Sequence, residues 1–301
     1  MKKITRQMRN RIVGVILLAL LLILVDYIPT QEPRTGTINR AGNMKVHFID
    51  VGQGDAILVE ADNSAMLIDA GDTNKRSVIT DYLDSQNIKK LDYVIATHPH
   101  IDHIGGLDTV LNSYEVENVI LPDVLHTTKA YENLLNTMKE RNLSAIKAKV
   151  GSLYYLGSAS FTILAPNSDN YEDVNNYSIV IRLCYGDSVF LLTGDAEKLS
   201  EEEMLASGRD LSADVIKLAH HGSAYSSCEE FLEAVNPTYA VVSVADNNDY
   251  GHPHARTLNT IHRQNIKLYR TDKQGTIVFH TDGTTISVNK QNYKITKNDL
   301  E

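Results

Sequence analysis

One run of ten residues, numbers 97–106 with the sequence T-H-P-H-I-D-H-I-G-G, constrains this chain more than any other segment. It holds four side chains of the metal-binding type, namely His98, His100, Asp102 and His103. Imidazole and carboxylate are ligands that zinc and similar divalent metals prefer. Residues 91–97 are mostly apolar or β-branched and predict a buried strand that leads into these side chains. A histidine-rich surface loop would not explain this spacing at a strand end, so the run predicts a metal site at a sheet edge.

The N-terminal segment predicts an export signal. Residues 2–11 carry five basic side chains and no acidic one, and residues 12–25 are apolar apart from Gly14. This apolar stretch is short for a membrane span, which needs about 20 residues, but it fits a signal peptide or a short signal anchor. Residues 26–30 lack a small-residue cleavage pattern. We therefore expect a single-pass anchor in the cell membrane, with its basic end in the cytoplasm and the rest outside. Cleavage would make the protein secreted instead.

The remaining pattern predicts one large globular domain. Residues 1–27 form the anchor or signal peptide, 28–43 a polar linker, 44–290 the domain and 291–301 a C-terminal tail. Strands and helices alternate through the domain. Two sheets covered by helices, an αββα sandwich of the α/β class, would bury the apolar face of each sheet. The predicted strands include residues 45–59, 91–97, 178–185, 188–193 and 214–219.

The charge balance bears on what the domain binds. Without the five N-terminal basic residues the chain has 24 basic and 38 acidic side chains, a net charge of about −14. Proteins that bind nucleic acid along a groove show the opposite balance. DNA therefore stays an alternative partner that the acidic charge disfavours.

Five segments in fixed order carry a family resemblance. Besides the histidine run, they are the strand pair at 44–59 and 65–71, L-L-T-G-D at 191–195, K-L-A-H-H-G-S at 217–223 and G-H-P-H at 251–254. Together they resemble the metallo-β-lactamase superfamily. They are most similar to the hydrolase domain at the C-terminal end of ComEC-type competence proteins and, more distantly, to bacterial phosphorylcholine esterases. The resemblance implies an αββα fold and metal-dependent hydrolysis.

The residues and the resemblance together suggest a ligand set. His98 and His100 are two positions apart and point the same way, so both can bind one metal, while Asp102 and His103 face a second position. The resemblance implies that Asp195 bridges the two metals. An alternative role for Asp195 is to cap the helix that starts at Lys198.

The neighbours His220 and His221 follow a predicted strand, where adjacent side chains face opposite sides. Only one of them is then expected to bind metal, and the resemblance favours His221 on the Asp102/His103 position. His220 would donate a proton or contact substrate. The alternative is that both are solvated loop residues.

We expect a second pair of histidines to serve proton transfer. One of His252 and His254 would protonate the leaving oxygen, since histidine titrates near neutral pH, and we name His254. Asp102 and His220 complete the expected catalytic residues. The alternative for the histidine pair is a capping loop before the helix at Ala255.

One ligand of the β-lactamase branch is missing. Those enzymes carry a histidine between the first histidine run and the bridging aspartate, where this chain has Asn175-Asn-Tyr-Ser178. His126 is the only histidine between His103 and Asp195, and it comes too early in order. The His98/His100 position is then one ligand short, completed by water or by an asparagine oxygen such as that of Asn176.

Other polar residues are expected to support the site. Asp69 ends a buried strand and is expected to accept a hydrogen bond from a ligand histidine. A glycine turn brings the D-V-G-Q-G-D segment close to the site, and Ser223 could donate to a phosphate oxygen. The residues expected to act in this way are Asp50, Gln53, Asp55, Asp69, Asn176, Ser223 and His252.

The sequence therefore predicts a membrane-anchored, extracytoplasmic metallohydrolase. One or two zinc ions, with manganese as an alternative, would activate a water that attacks a phosphodiester. One alternative substrate is a carboxylic ester, a lactone or a β-lactam, although the missing histidine disfavours β-lactams. A further alternative is a non-catalytic accessory module of DNA uptake. Protein partners are not predicted.

Overall fold

The computed structural model describes residues 43–301. The predicted anchor and all of the predicted linker except Asn43 lie outside these residues. Within 43–301, no helix combines the length and the apolar character that a membrane crossing requires.

Fifteen strands and eight α-helices make up the described part of the chain. The strands are β1 (Met44–Phe48), β2 (Ile57–Ala61), β3 (Ser64–Ile68), β4 (Lys90–Ile95), β5 (Glu115–Leu121), β6 (Ala145–Lys147), β7 (Leu153–Leu156), β8 (Ala159–Ala165), β9 (Val180–Tyr185), β10 (Ser188–Leu192), β11 (Val215–Lys217), β12 (Tyr239–Val242), β13 (Lys267–Arg270), β14 (Ile277–Thr281) and β15 (Ile286–Val288). The helices are α1 (Arg76–Ser85), α2 (Ile101–Ile104), α3 (Leu107–Ser113), α4 (Lys129–Glu140), α5 (Lys198–Ala206), α6 (Glu229–Val235), α7 (Ala255–Arg263) and α8 (Thr271–Gln274).

The strands form two sheets of mixed direction. The first has the order β15-β14-β1-β2-β3-β4-β5-β6, and the second has the order β13-β12-β11-β10-β9-β8-β7. In the first sheet β3 to β6 run parallel, and in the second β10 to β13 run parallel. Polar residues that follow neighbouring parallel strands emerge at the same edge, which is where the predicted metal ligands lie.

Three apolar clusters hold the layers together. The largest lies between the sheets and contains Phe48, Phe161, Phe190 and Phe279, all fully buried. A second packs α1, α3 and α4 on the outer face of the first sheet. A third packs α5, α6 and α7 on the outer face of the second sheet. This arrangement confirms the predicted two-sheet sandwich for the described residues, because each sheet buries both faces.

Three strand predictions are corrected in detail. Residues 45–59 do not form one strand, since β1 ends at Phe48 and a loop over 49–56 precedes β2. Strand β7 was not predicted. The predicted strand 214–219 is only Val215–Lys217, because the chain turns at once into a tight helical turn over Ala219–Gly222.

The buried carboxylate of Glu201 holds the loop that follows this turn. It accepts hydrogen bonds from the backbone N–H groups of Ser227 and Cys228. We expect Glu201→Ala to lower the free energy of unfolding by about 1–3 kcal/mol for each N–H left unpaired. Chemical denaturation of the purified chain measures this loss. Glu202→Ala is the control, since Glu202 is exposed and contacts only Lys198 at 3.6 Å; we expect it to change stability by at most about 0.5 kcal/mol.

The same residue gives a pH dependence. Burial raises the pKa of Glu201 to about 6. The folded chain then binds a proton on the Glu201 carboxyl group more tightly than the unfolded chain does. The stability gained from binding this proton is full below pH 4.5 and is lost as the pH rises through about 6. Equal losses in Glu201→Ala and Glu202→Ala would contradict this account.

Candidate metal centre

The histidine run lies at the edge of the first sheet, directly after β4. His98 and His103 are fully buried. The Nε2 atom of His98 lies 3.0 Å from Nδ1 of His100, so these two ring nitrogens are adjacent. The His98 Nε2 atom is also 3.8 Å from the Oδ2 atom of Asp195.

A second group of ligand atoms lies beside the first. The Nε2 atom of His221 is 3.3 Å from the Oδ2 atom of Asp102, and Nε2 of His103 is 3.8 Å from that oxygen. The Asp195 Oδ2 atom is 3.2 Å from His103 Nε2 and 3.4 Å from His221 Nε2. Asp195 thus faces both groups, the position that the resemblance implies for a bridging ligand.

The donor atoms fit a divalent metal. Within residues 43–301, buried Nε2 of His103, Nε2 of His221 and Oδ1 of Asp195 have no hydrogen-bond partner. Three sets of side chains in the described part of the chain bring three ligand atoms within 4.8 Å of one another: His98, His103 and Asp195; Asp102, His103 and His221; and Asp55, Asp69 and His103. Buried polar atoms without partners are costly, and a metal ion bound by these atoms would remove that cost.

Each buried histidine is held through its other ring nitrogen. His103 Nδ1 donates to Asp69 at 2.8 Å, and His221 Nδ1 donates to the Ser243 carbonyl at 2.9 Å. His98 Nδ1 lies 3.1 Å from the hydroxyl of Thr97, which itself donates to Asp69 at 2.6 Å. Donation from Nδ1 leaves the Nε2 lone pair free for a metal.

The cluster carries opposing charges. Burial lowers the pKa of His98 well below its ordinary value, which keeps this ring neutral. Burial also acts to lower the pKa of His103, but the carboxylates of Asp195, Asp102 and Asp69 outweigh it and raise that pKa. Burial acts to raise the pKa of Asp195, and His103 and His221 outweigh it and lower that pKa. The carboxylates therefore require positive charge here, which imidazolium groups or a divalent cation can supply.

Two glycines allow the loops to meet. A Cβ atom at Gly194, where φ is +53°, would lie 3.0 Å from Thr97 and 3.1 Å from Ser178. A Cβ atom at Gly54 would overlap the carbonyl oxygen of Asp102 at 2.0 Å. The close approach predicted for the 50–55 segment is therefore present. The helix after Asp195 begins with Glu197 as its N-cap residue, so Asp195 does not cap it.

The pair His220 and His221 corrects the strand argument. Both residues lie in the left-handed region, with φ of 48° and 53°, and not on a strand with alternating side chains. The His221 side chain enters the cluster. His220 is partly exposed, with Nδ1 at 3.1 Å from Glu197 and Nε2 at 3.9 Å from Asp195.

The two later histidines take different positions. The ring centroid of His252 is 5.4 Å from that of His220. Burial, helped by His221 and His220, lowers the pKa of His252 to about 4, so its ring is neutral at neutral pH. His254 instead accepts a hydrogen bond at Nδ1 from the Ala224 N–H, and it is the N-cap residue of α7. The structure places His252 beside the cluster, with its ring centroid 6.2 Å from that of His221, and the preference for His254 as the proton donor stays a prediction.

Asn176 takes a structural position. Its side-chain oxygen accepts hydrogen bonds from the backbone N–H groups of Glu197 at 3.3 Å and Ser200 at 3.2 Å. The oxygen is thus used by the first turn of α5. This placement does not favour Asn176 as the asparagine that completes the His98/His100 position, and completion by water or another asparagine oxygen stays a prediction.

Three other predicted residues support loops around the cluster. Asp50 accepts a hydrogen bond from the Gly52 N–H, and Gln53 accepts one from the Ala245 N–H. Ser223 accepts one from the Tyr225 N–H at 3.2 Å. In these positions they fix the backbone beside the ligands.

The sequence analysis missed the buried lysine Lys217. Its Nζ atom is 2.5 Å from Asp55 Oδ2 and 3.8 Å from Asp195 Oδ1, and it donates to the Gly194 carbonyl at 2.9 Å. Lysine is rarely fully buried without a partner. The signal was its place at the end of a strand that leads into His-His-Gly-Ser.

Comparison with known proteins agrees with this geometry. Residues 49–245 match the model of the metallo-beta-lactamase superfamily. The chain belongs to this superfamily. Its members are generally metal-dependent hydrolases, and the fold implies divalent metal binding.

The relatives include competence proteins. The chain is 32% identical over 253 residues to ComE operon protein 3 of Bacillus subtilis, covering 78% of this chain and 33% of that one. It is 31% identical over 232 residues to competence protein ComA of Neisseria gonorrhoeae, covering 76% and 31%. The chain thus spans about a third of the curated relatives it matches. These matches confirm the predicted ComEC-type likeness.

Among solved structures, the fold resembles YhfI of Bacillus subtilis, a metallo-beta-lactamase fold protein. The TM-score is 0.55 at 12% identity, and the match covers 79% of this chain and all of that one. At this identity the likeness shows the fold alone.

The two adjacent histidines give a testable difference. We expect His221→Ala to lose metal and hydrolytic activity together, because His221 faces both Asp102 and Asp195. His220→Ala should keep its metal, while kcat falls by roughly 10²–10⁴-fold, the usual effect of losing a general acid or base. Metal analysis and turnover of both variants decide this. Equal metal loss, or loss only in His220→Ala, would contradict the assignment.

Proposed function

We propose that this protein is a metal-dependent phosphodiesterase or nuclease. The observation that carries the proposal is Asp195, whose carboxylate faces His98, His103 and His221 within 3.8 Å. His98 and His100 would hold one ion, Asp102, His103 and His221 the second, and Asp195 both. Two divalent metals held in this way would lower the pKa of an attacking water and stabilise the attacking and leaving oxygens of an in-line displacement.

The side chains of this protein orient the reacting groups. Asp69 and Thr97 fix the ring planes of His103 and His98 by the hydrogen bonds described above. Glu197 holds His220 so that Nε2 faces the carboxylate of Asp195. His220 is a partly exposed imidazole beside Asp195 and is the residue we assign to proton transfer at the leaving oxygen.

Two observations bear on the substrate. The third histidine of the β-lactamase branch is missing, since Asn175-Asn-Tyr-Ser178 stands at that place, and its absence disfavours a β-lactam. The curated relatives include competence proteins, which makes a DNA strand a candidate substrate. A non-catalytic accessory role is less consistent with buried ligand atoms that lack hydrogen-bond partners.

Turnover of defined substrates tests the activity. The purified full-length chain with zinc or manganese should hydrolyse bis(4-nitrophenyl) phosphate and a labelled single-stranded oligonucleotide, and chelation should stop the reaction. We expect Asp195→Ala to lower metal content and to reduce turnover by about 100-fold or more. Asp81→Ala is the control, because Asp81 is exposed on α1.

Different results would favour the alternatives. Turnover of a lactone or a chromogenic β-lactam without phosphodiester cleavage would overturn the substrate assignment. Metal-loaded protein that hydrolyses none of these compounds would favour the accessory role.

We also propose that the domain lies outside the cytoplasmic membrane, held by residues 1–27. Support comes from five basic residues ahead of a short apolar stretch. A phosphatase reporter fused after Glu301 should be active, because that enzyme folds only outside the cytoplasm. A cytoplasmic reporter such as β-galactosidase, active at the same position, would contradict this placement.

A further inference from the structure

His126 lies beside the His98/His100 position although it belongs to none of the family segments. It is located in the loop over residues 122–128, between β5 and α4. The centroid of its ring is 6.2 Å from that of His100, and the two planes meet at 81°. The fold thus places His126 beside the His98/His100 position, although His126 lies in a different segment of the sequence.

The ring of His126 is held in the same manner as the rings of the cluster. Its Nδ1 atom lies 3.1 Å from the hydroxyl of Thr128. His98, His103 and His221 likewise have Nδ1 on a protein oxygen. A ligand histidine whose Nδ1 donates to an oxygen keeps Nε2 available for a metal, and for His126 the Thr128 hydroxyl would be that acceptor.

The loop that carries His126 is anchored to α4. Thr128 is the N-cap residue of this helix and accepts a hydrogen bond from the Tyr131 N–H. The Tyr131 hydroxyl donates to the carbonyl of Val124 at 2.9 Å. The backbone is therefore tied on both sides of His126, and its approach to His100 is set by the fold.

The His98/His100 position is short of ligands. The two histidines have centroids 4.8 Å apart, and Asp195 is the further carboxylate near them. Zinc sites of histidine and carboxylate take four ligands, of which a catalytic site leaves one for water or substrate. Asn176 does not fill the third protein position, because its oxygen is engaged by α5.

We propose that His126 is a further ligand of the His98/His100 metal position, binding through Nε2. Two imidazoles on one tetrahedral zinc ion have ring centroids about 5 Å apart, given Zn–N distances of about 2.0–2.1 Å. The His126 ring, with its centroid 6.2 Å from that of His100, lies somewhat beyond this separation, and we expect it to move closer when the metal binds. The inference rests on the metal centre of the proposed function and not on its substrate.

Metal binding tests the inference without reference to turnover. Wild-type full-length chain, His126→Ala and His126→Gln are titrated with zinc ions against a chromogenic chelator, and cobalt-loaded samples are followed by visible absorption. We expect one metal equivalent to bind at least about tenfold more weakly in both variants, with a changed cobalt spectrum. His98→Ala should weaken the same equivalent. His262→Ala, an exposed histidine on α7, should match the wild type.

Three results would overturn the inference. The first is wild-type zinc affinity and cobalt spectrum in both His126 variants. The second is a raised KM in those variants with unchanged metal binding, which would make His126 a substrate contact. The third is a wild-type chain that binds no metal, which would remove the metal centre and the proposed function together. Normal metal binding without phosphodiester turnover would remove only the proposed function.

Discussion

Four carboxylates where the two sheets meet, from Asp55, Asp69, Asp102 and Asp195, determine how the site is built. All but Asp102 are almost fully buried, and a buried charge is costly unless it is paired. Lys217 pairs with Asp55, and His103 donates to Asp69. The carboxylate of Asp195 still requires positive charge beside it, either from protonated Nε2 atoms of the neighbouring histidines or from a metal ion that those atoms bind. The two sheets therefore meet through an electrostatic requirement as well as through the aromatic core between them.

Backbone strain is concentrated at the same place. Asp69, His220 and His221 have φ values of 56°, 48° and 53°, and such left-handed conformations cost about 1–3 kcal/mol each for residues other than glycine. Hydrogen bonds compensate, because the Asp69 carboxylate accepts from both the N–H and the hydroxyl of Thr97. The turn at His220 and His221 aims one ring into the cluster and leaves the other at its edge. On an extended strand the rings of His220 and His221 would point to opposite faces of the sheet.

The sequence supported prediction of the sandwich and of the main group of ligand-type residues, because strand periodicity and the His-x-His-x-Asp-His spacing are both local patterns. It failed where the deciding contact is distant in sequence. Lys217 meets Asp55 across 162 positions, so its place at the end of a buried strand does not by itself reveal its partner. The choice between His254 and His252 depends on such a contact, because the Ala224 N–H, from another loop, donates to Nδ1 of His254. His126 was set aside for its order in the chain, although the loop before α4 places its ring centroid 6.2 Å from that of His100.

The acidic composition is compatible with the proposed substrate because electrostatic interactions act over a short distance in salt solution. At physiological ionic strength charges are screened over about 8 Å, so a phosphate at the cluster responds mainly to the groups beside it. There, a bound divalent pair would oppose the carboxylates of Asp102 and Asp195 at close distance. The net charge of about −14 acts instead on any polyanion that extends over the surface. Acidity therefore restricts how much of a long strand can be bound, and not whether its phosphodiester can react at the cluster.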